Sequence, residues 1–170
     1  MPGSAQKYVI YSNVLIEAHR RYYSLDIAPA FWDFLIDTAE NGIIQSIDRV
    51  YDEILKGNDD LAGWVKNSFP FAFVNTKNDS DVLNNYGKLI NWAYKHSQFN
   101  QAAKDEFARV ENADPWIISY AMYNGFVVET QEVLDKNVMK NIPIPNVCVA
   151  FNVKYINTFT LLRELNFKFN

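Results

Sequence analysis

The stretch Tyr8-Val9-Ile10-Tyr11-Ser12-Asn13-Val14-Leu15-Ile16-Glu17-Ala18 decides the fold class of this chain. Its first four residues are a short, fully apolar run, which reads as a strand buried on both faces, the kind that parallel sheets use. Ser12 and Asn13 end the run, and both are good N-cap residues, so a helix is expected from about Val14 to Tyr23.

The same alternation continues outward along the sequence. Pro29 opens a second helix carrying Phe31, Phe34, Leu35 and Thr38 at helical spacing, and Asn41-Gly42 stops it. Ile43-Ile44 reads as a second strand. Ser46 then reads as the N-cap of a helix carrying Val50, Glu53 and Ile54, closed by Gly57, with a small helix near Leu61 to Val65 after it. Phe71 to Val74 is the expected third strand. Helices follow over Ser80–Lys95 and Ala102–Val110. Asp114-Pro115 reads as an acidic N-cap with Pro behind it, opening a helix that runs to about Tyr123 and ends at Asn124-Gly125. Phe126 to Val128 is a fourth strand. A short helix near Val147 to Phe151, a fifth strand near Lys154 to Asn157 and a helix over Phe159–Leu165 complete the chain. Short apolar strands alternating with helices predict a three-layer α/β/α fold around a parallel sheet. With no internal repeat and no Pro/Gly/Ser linker, residues 1–170 are expected to form one domain.

Composition narrows the function. Of the 170 residues, 49% are apolar and 15% aromatic, which is a core-forming composition. The net charge of −4 argues against a protein that coats nucleic acid through phosphate contacts alone, but not against a nuclease whose carboxylates hold cations. The single cysteine, Cys148, excludes an internal disulfide and a thiolate cluster, and reads as a buried thiol in a cytoplasmic protein. Residues Met1 to Gln6 lack the pattern of a signal peptide, and no apolar run is long enough to span a bilayer. His19 and His96 lack zinc-ligand spacing and read as surface residues. There is neither a phosphate loop nor a Gly-x-Ser-x-Gly elbow. The compact basic run His19-Arg20-Arg21 reads as a solvated helix face or as a contact for phosphates.

In parallel sheets, sites form beyond the carboxyl ends of the strands. Tyr11, Ser12 and Asn13 follow the first strand, Glu53 lies on the helix after the second, Asp114 starts the helix before the fourth, and Thr130-Gln131-Glu132 follow the fourth. Three carboxylates at one rim without cysteines suit hard divalent ions. Each residue also has a plain reading: Asp114 and Asn13 as helix caps, Glu53 as a solvated helix residue, Glu132 as part of a polar loop.

The ensemble resembles the PIN-domain family, and within it a toxin-like, VapC-like branch. The resemblance runs nearly end to end, through residues 8–18 (YVIYSNVLIEA), 21–35 (RYYSLDIAPAFWDFL), 50–57 (VYDEILKG), 113–121 (ADPWIISYA), 125–132 (GFVVETQE), 144–148 (IPNVC) and 157–165 (NTFTLLREL). It implies a metal-dependent ribonuclease of a toxin–antitoxin pair. Its partners would be an RNA substrate, a cognate antitoxin and a second copy in a homodimer. Glu53, Asp114 and Glu132 match the family's Mg²⁺- or Mn²⁺-binding acids, and Asn13 matches a polar residue that orients water or metal. Glu129 competes with Glu132 for the fourth acid. Two departures stand out. The family's first strand ends in Asp where this chain has Tyr11, which removes a ligand from the centre of the site. Many relatives carry Asp where this chain has Asn146. The expected state is therefore a crippled nuclease, and the alternative is a non-catalytic binding module of the same fold that engages RNA or an antitoxin.

Overall fold

A computed structural model describes residue 3 and residues 5–169. Five parallel strands form the sheet: β1 (Tyr8–Ile10), β2 (Ile44–Ile47), β3 (Phe73–Val74), β4 (Val127–Glu129) and β5 (Tyr155–Ile156), in the order β3-β2-β1-β4-β5. The chain winds outward from β1 to β2 and β3, then returns to the other side of β1 for β4 and β5. The strand order therefore reverses between β1 and β4, and it is outside the carboxyl ends of such a pair that an open parallel sheet leaves a crevice. The pairing Ile10↔Glu129 sets the register there.

Helices α1 (Ser12–Glu17) and α2 (Pro29–Glu40) link β1 to β2, and α3 (Asp48–Leu55) and α4 (Asp60–Ser68) link β2 to β3. The return from β3 to β4 runs through α5 (Ser80–Lys95), α6 (Gln101–Phe107) and α7 (Asp114–Asn124); α8 (Ile144–Ala150) and α9 (Thr158–Glu164) flank β5. Right-handed crossovers place the outward and the return helices on opposite faces, which gives three layers. The strands are apolar because both faces are covered: Val9, Ile10, Ile44, Ile47 and Val128 are all buried.

Several local expectations give way to packing. The sheet-to-helix junction at β1 has no polar cap: Tyr11 itself takes the N-cap position with extended φ and ψ of −83° and 156°, and Ser12 and Asn13 lie in the first turn. The helix widens into a π-helical turn at Ala18–Tyr22, closed by Tyr23 N donating to Ala18 O at 2.7 Å. Strand β2 is longer than the Ile43-Ile44 pair suggests. Ser46 is not a cap but a buried strand residue, whose hydroxyl donates to Ile10 O at 2.6 Å and so crosslinks β1 and β2. Pro70 starts a 3₁₀ turn over Pro70–Ala72, because its fixed φ suits a turn, and this shortens β3 to two residues. Gly125 ends α7 at φ 69°, the left-handed region where a side chain is strained. His19 and His96 are half-buried instead of on the surface: His19 packs edge-on to Trp32, and His96 lies among Trp92 and Phe99.

Candidate active site

Each sequence-predicted acid stands near the carboxyl end of the sheet for a local reason. Helix α3 begins at the residue after β2, so Glu53 sits on its second turn, close to the rim. Asp114 is the first helical residue of α7, not its cap. Ala113 holds the N-cap position, and the Asp114 N–H is satisfied by Asn112 Oδ1 at 2.9 Å. The Asp114 carboxyl is thereby released from capping. Its Oδ1 is buried and has no hydrogen-bond partner, as is Glu53 Oε2. Unpartnered buried oxygens on acids from two different helices are what capping or solvated-face roles do not explain.

Tyr11 sits between them. It is only 8% exposed. Burial, then the charges of Asp114 and Glu53, hold its phenol protonated well above the ordinary tyrosine range. The hydroxyl faces Asp114, a contact that favours the aspartate's charged form yet falls short of a well-formed hydrogen bond. Asp114 is nonetheless pushed up to about 7, by burial first and then by the carboxylates of Glu132, Glu53 and Glu106. Burial also raises Glu53, against the opposing influence of the Ser12 hydroxyl and Lys56. A cleft of about 330 Å³ opens over this group, lined by Tyr11, Glu53 and Asp114 below and by Lys56, Glu106, Arg109 and Glu111 around its mouth.

Glu132 is near but turned aside. Its Oε2 accepts the backbone N–H of Ile144, the first residue of α8, at 2.7 Å. It faces Asp114 across a second, smaller cleft of about 100 Å³ lined also by Lys140 and Ile142. Burial raises the Glu132 carboxyl, with a further push from Glu53. Asn13 reaches the same loop from α1. Its Nδ2 donates to the Thr130 hydroxyl at 3.3 Å, and its Oδ1 accepts from Gln131 N at 3.1 Å. Both ends of the Asn13 amide are therefore engaged in fixing the β4 loop. Glu129 points elsewhere: it lies within β4, fully buried, opposite Ile10 and Ile156, and beside Thr158 at the start of α9. The carboxylates of Glu53 and Glu132, not that of Glu129, are the ones whose charges act on both Tyr11 and Asp114. Asn146 is also away from the acids, paired in both directions with the Asp135 backbone.

The fit of a divalent ion follows from this arrangement. Among the described residues no three His, Cys, Asp or Glu side chains come together as a ligand group. Glu132 is held by α8, and the phenol of Tyr11 stands where a carboxylate would draw the others in. The residues present do not fit a resident Mg²⁺ or Mn²⁺.

Sequence reasoning missed the group that fixes the spacing of Glu53 and Asp114. The Arg49 guanidinium lies 3.6 Å over the Trp116 ring, and Tyr86 stacks on Trp116 at 3.9 Å and 15°. Arg49 is one turn before Glu53 on α3, and Trp116 is two residues after Asp114 on α7, so the stack couples the two acid-bearing helices. The i,i+4 spacing of Arg49 and Glu53 was visible, but their partner on a helix far along the chain was not.

A five-stranded parallel sheet whose order reverses at β1, with helices packed around it, matches a three-layer α/β/α PIN-like fold. Solved structures agree on the fold. FitAcB from Neisseria gonorrhoeae superposes at a TM-score of 0.53 and 16% identity, over 89% of this chain and 98% of that one. VapBC2 from Rickettsia felis, bound to a DNA fragment from its promoter, superposes at 0.52 and 15% identity, over 89% and 98%. FitAB bound to an IR36 DNA fragment gives 0.53 and 16%, over 88% and 94%. No protein of curated function matches the sequence. Residues 8–169 match the family model described as Domain of unknown function (DUF4411), and the chain belongs to that family.

Proposed function

We propose that this chain is a ribonuclease toxin scaffold of a toxin–antitoxin pair, sealed in its present sequence by Tyr11. The observation that carries the reading is the buried phenol lodged among Glu53 and Asp114, each of which has one buried carboxyl oxygen without a hydrogen-bond partner. A structural core does not bury uncompensated acids around a hydroxyl without reason. An ancestral ion site does gather them, and an uncharged tyrosine at its centre adds no further negative charge to their surroundings. Asp114 and Glu53 are the residues that would hold Mg²⁺ or Mn²⁺ once a carboxylate stood at position 11. Glu132 would join them on leaving Ile144, and Asn13 holds the loop that carries it. The ion would supply activation of water and stabilisation of charge on a phosphodiester of RNA.

The partner is proposed from the same fold. The FitAB and VapBC2 structures are two-component assemblies bound to DNA. An antitoxin that covers this cleft and carries the DNA-binding function is the corresponding partner here. Among the described residues no helix is long and apolar enough to cross a membrane.

The test compares the protein as it stands, Tyr11→Asp, and Tyr11→Asp combined with Asp114→Asn, on a mixed RNA substrate with Mn²⁺ or EDTA. Cleavage is expected only for Tyr11→Asp with the metal, since ligands of one ion act as a unit. A folded, metal-binding Tyr11→Asp protein that cuts no RNA would move the chain to the second reading, a non-catalytic binding module of the same fold that engages RNA or an antitoxin.

A further inference from the structure

The face beside the acidic cleft carries aromatic rings in solvent. Tyr22, at the end of the π-helical turn, is 46% exposed; Phe159, in the first turn of α9, is 41% exposed; Phe169, in the C-terminal tail, is 50% exposed. These are not scattered. Tyr22 meets Phe159 with ring centroids 6.1 Å apart, and meets Tyr23 at 6.2 Å. Tyr23 meets Phe169 at 5.2 Å, and Phe169 meets Phe167 at 4.8 Å. The inner rings are anchored: Tyr23 packs on Phe31, and Phe167 on Phe34. The outer rings are thus held on a fixed backing, which limits the ordering cost of binding.

Cations alternate with these rings along the chain. Arg20 and Arg21 precede Tyr22, Lys168 lies between Phe167 and Phe169, and Arg163 stands on α9; all four are exposed. Arg21 pairs with Glu17 at 3.2 Å, whereas Arg20, Arg163 and Lys168 are in no ion pair among the described residues. Of the acids on the adjoining elements, Glu17 is engaged by Arg21 and Glu164 accepts a hydrogen bond from Tyr8, while Asp26 and, on either side of Phe34, Asp33 and Asp37 are exposed.

The patch also has a defined relation to the cleft. Helix α1 and the π-helical turn after it lead from Tyr11 to Tyr22, and the Gln131 side chain, next to Glu132, accepts from Thr158 N, next to Phe159. We propose that Tyr22, Phe159 and Phe169, flanked by Arg20 and Lys168, form a platform that binds single-stranded RNA beside the acidic cleft. The proposal rests on the reading of the scaffold as RNA-directed, and adds where the strand is held. Aromatic faces take up unstacked bases of any sequence, and the interleaved cations meet the phosphates. A second copy of the chain is the less suitable occupant, because a two-fold contact through this face would bring one basic rim against another.

The experiment is fluorescence anisotropy of the full chain, with Tyr11 in place, against labelled oligoadenylate and oligouridylate of roughly ten nucleotides, a length within the usual single-strand site sizes. Both oligomers should bind. Tyr22→Ala with Phe159→Ala should weaken binding by about tenfold or more, as expected for lost base stacking. Tyr22→Phe should retain it, since the ring face and not the hydroxyl is used. Arg20→Ala with Lys168→Ala should flatten the plot of log affinity against log salt by roughly 0.7 for each lost phosphate contact. Phe169→Ala, in the tail, gives a ring variant that leaves the α9 packing alone should the double change not fold. The proposal is overturned if the folded ring variants bind as the parent does, or if the parent binds neither oligomer. It is also overturned if the parent self-associates in sedimentation and Tyr22→Ala with Phe159→Ala abolishes that. Failure here is distinct from failure at Tyr11. RNA cleavage by Tyr11→Asp with full affinity in the ring variants removes the platform and leaves the nuclease scaffold. Loss of affinity in the ring variants without cleavage by Tyr11→Asp does the reverse.

Discussion

Glu129 shows how far one residue's environment departs from its surface chemistry. Its carboxyl is fully buried between the sheet and α9, and neither oxygen has a well-formed hydrogen bond. Burial pushes it up to about 8 from an ordinary 4.5, with the Thr158 hydroxyl opposing. The folded state therefore keeps a proton over an interval in which the unfolded chain has already released it. Proton uptake that is greater in the folded state makes stability fall as pH rises, here between about 4.5 and 8. Asp114, pushed up to about 7 from 3.8, acts in the same direction. Glu129→Gln keeps the shape and removes the titration. The variant should melt higher than the parent at pH 8, by a few degrees or more, and about equally at pH 5. Thermal midpoints across that range check this, and parallel curves for the two proteins would mean that Glu129 is not the group responsible. Sequence spacing left Glu129 and Glu132 in competition. Only the register Ile10↔Glu129 separates them, by sending one carboxyl into the core and leaving the other near the cleft.

Elements were legible wherever the local chemistry was self-contained. Helix α5 spans the expected Ser80–Lys95, and Pro29 and Gly125 act as start and stop. The misread boundaries, at Ser12, Ser46 and Phe71, are places where a polar or aromatic residue takes its partner from another element. The α3–α7 stack is of the same kind, and it carries a prediction. Arg49→Ala removes the guanidinium over Trp116 and its hydrogen bond to Val110 O. A loss of about 1 kcal/mol is expected from denaturant midpoints, in line with partly buried cation–π contacts. Trp116 fluorescence should shift to the red as its ring face meets water. An unchanged spectrum would show that the stack does not order the two helices. At α8, Asn146 is the departure that the sequence could not interpret. Its Nδ2 donates to Asp135 O at 2.7 Å, and its Oδ1 accepts from Asp135 N at 3.2 Å. Asn146→Asp keeps the acceptor, loses the donor and sets a carboxylate against a carbonyl. It should cost about 1–2 kcal/mol at neutral pH and raise proteolysis of the loop over residues 133–143, with the parent recovered as the carboxyl is protonated at low pH. Equal cleavage rates would count against a clamp.

For the whole molecule, the acids, Tyr11 and stability are one coupled system. In the parent, burial and neighbouring carboxylates push Asp114 up to about 7 and burial raises Glu53, with no three-ligand group among the described residues. An ion then gains little by binding the folded state, so the melting midpoint should not respond to millimolar Mg²⁺ or Mn²⁺ beyond the effect of matched ionic strength. Tyr11→Asp reverses each part of this. It exchanges a buried ring in the core for a further carboxyl beside Asp114 and Glu53, so in EDTA the variant should melt below the parent and be most destabilised above pH 7, where Asp114, pushed up to about 7, ionises as well. Metal then binds the folded state preferentially. Stabilisation follows RT ln(1 + [L]/Kd), which is about 2.7 kcal/mol at a hundredfold excess over Kd, or several degrees for a chain of this size. Glu53→Gln added to Tyr11→Asp should abolish most of that gain, because one ion cannot be held by the remaining acids with the same affinity. The measurement is a melting series for the three proteins in EDTA and in increasing Mn²⁺. If the parent gains as much from Mn²⁺ as Tyr11→Asp does, Tyr11 does not seal the site, and the acids must gather around an ion with the phenol still in place.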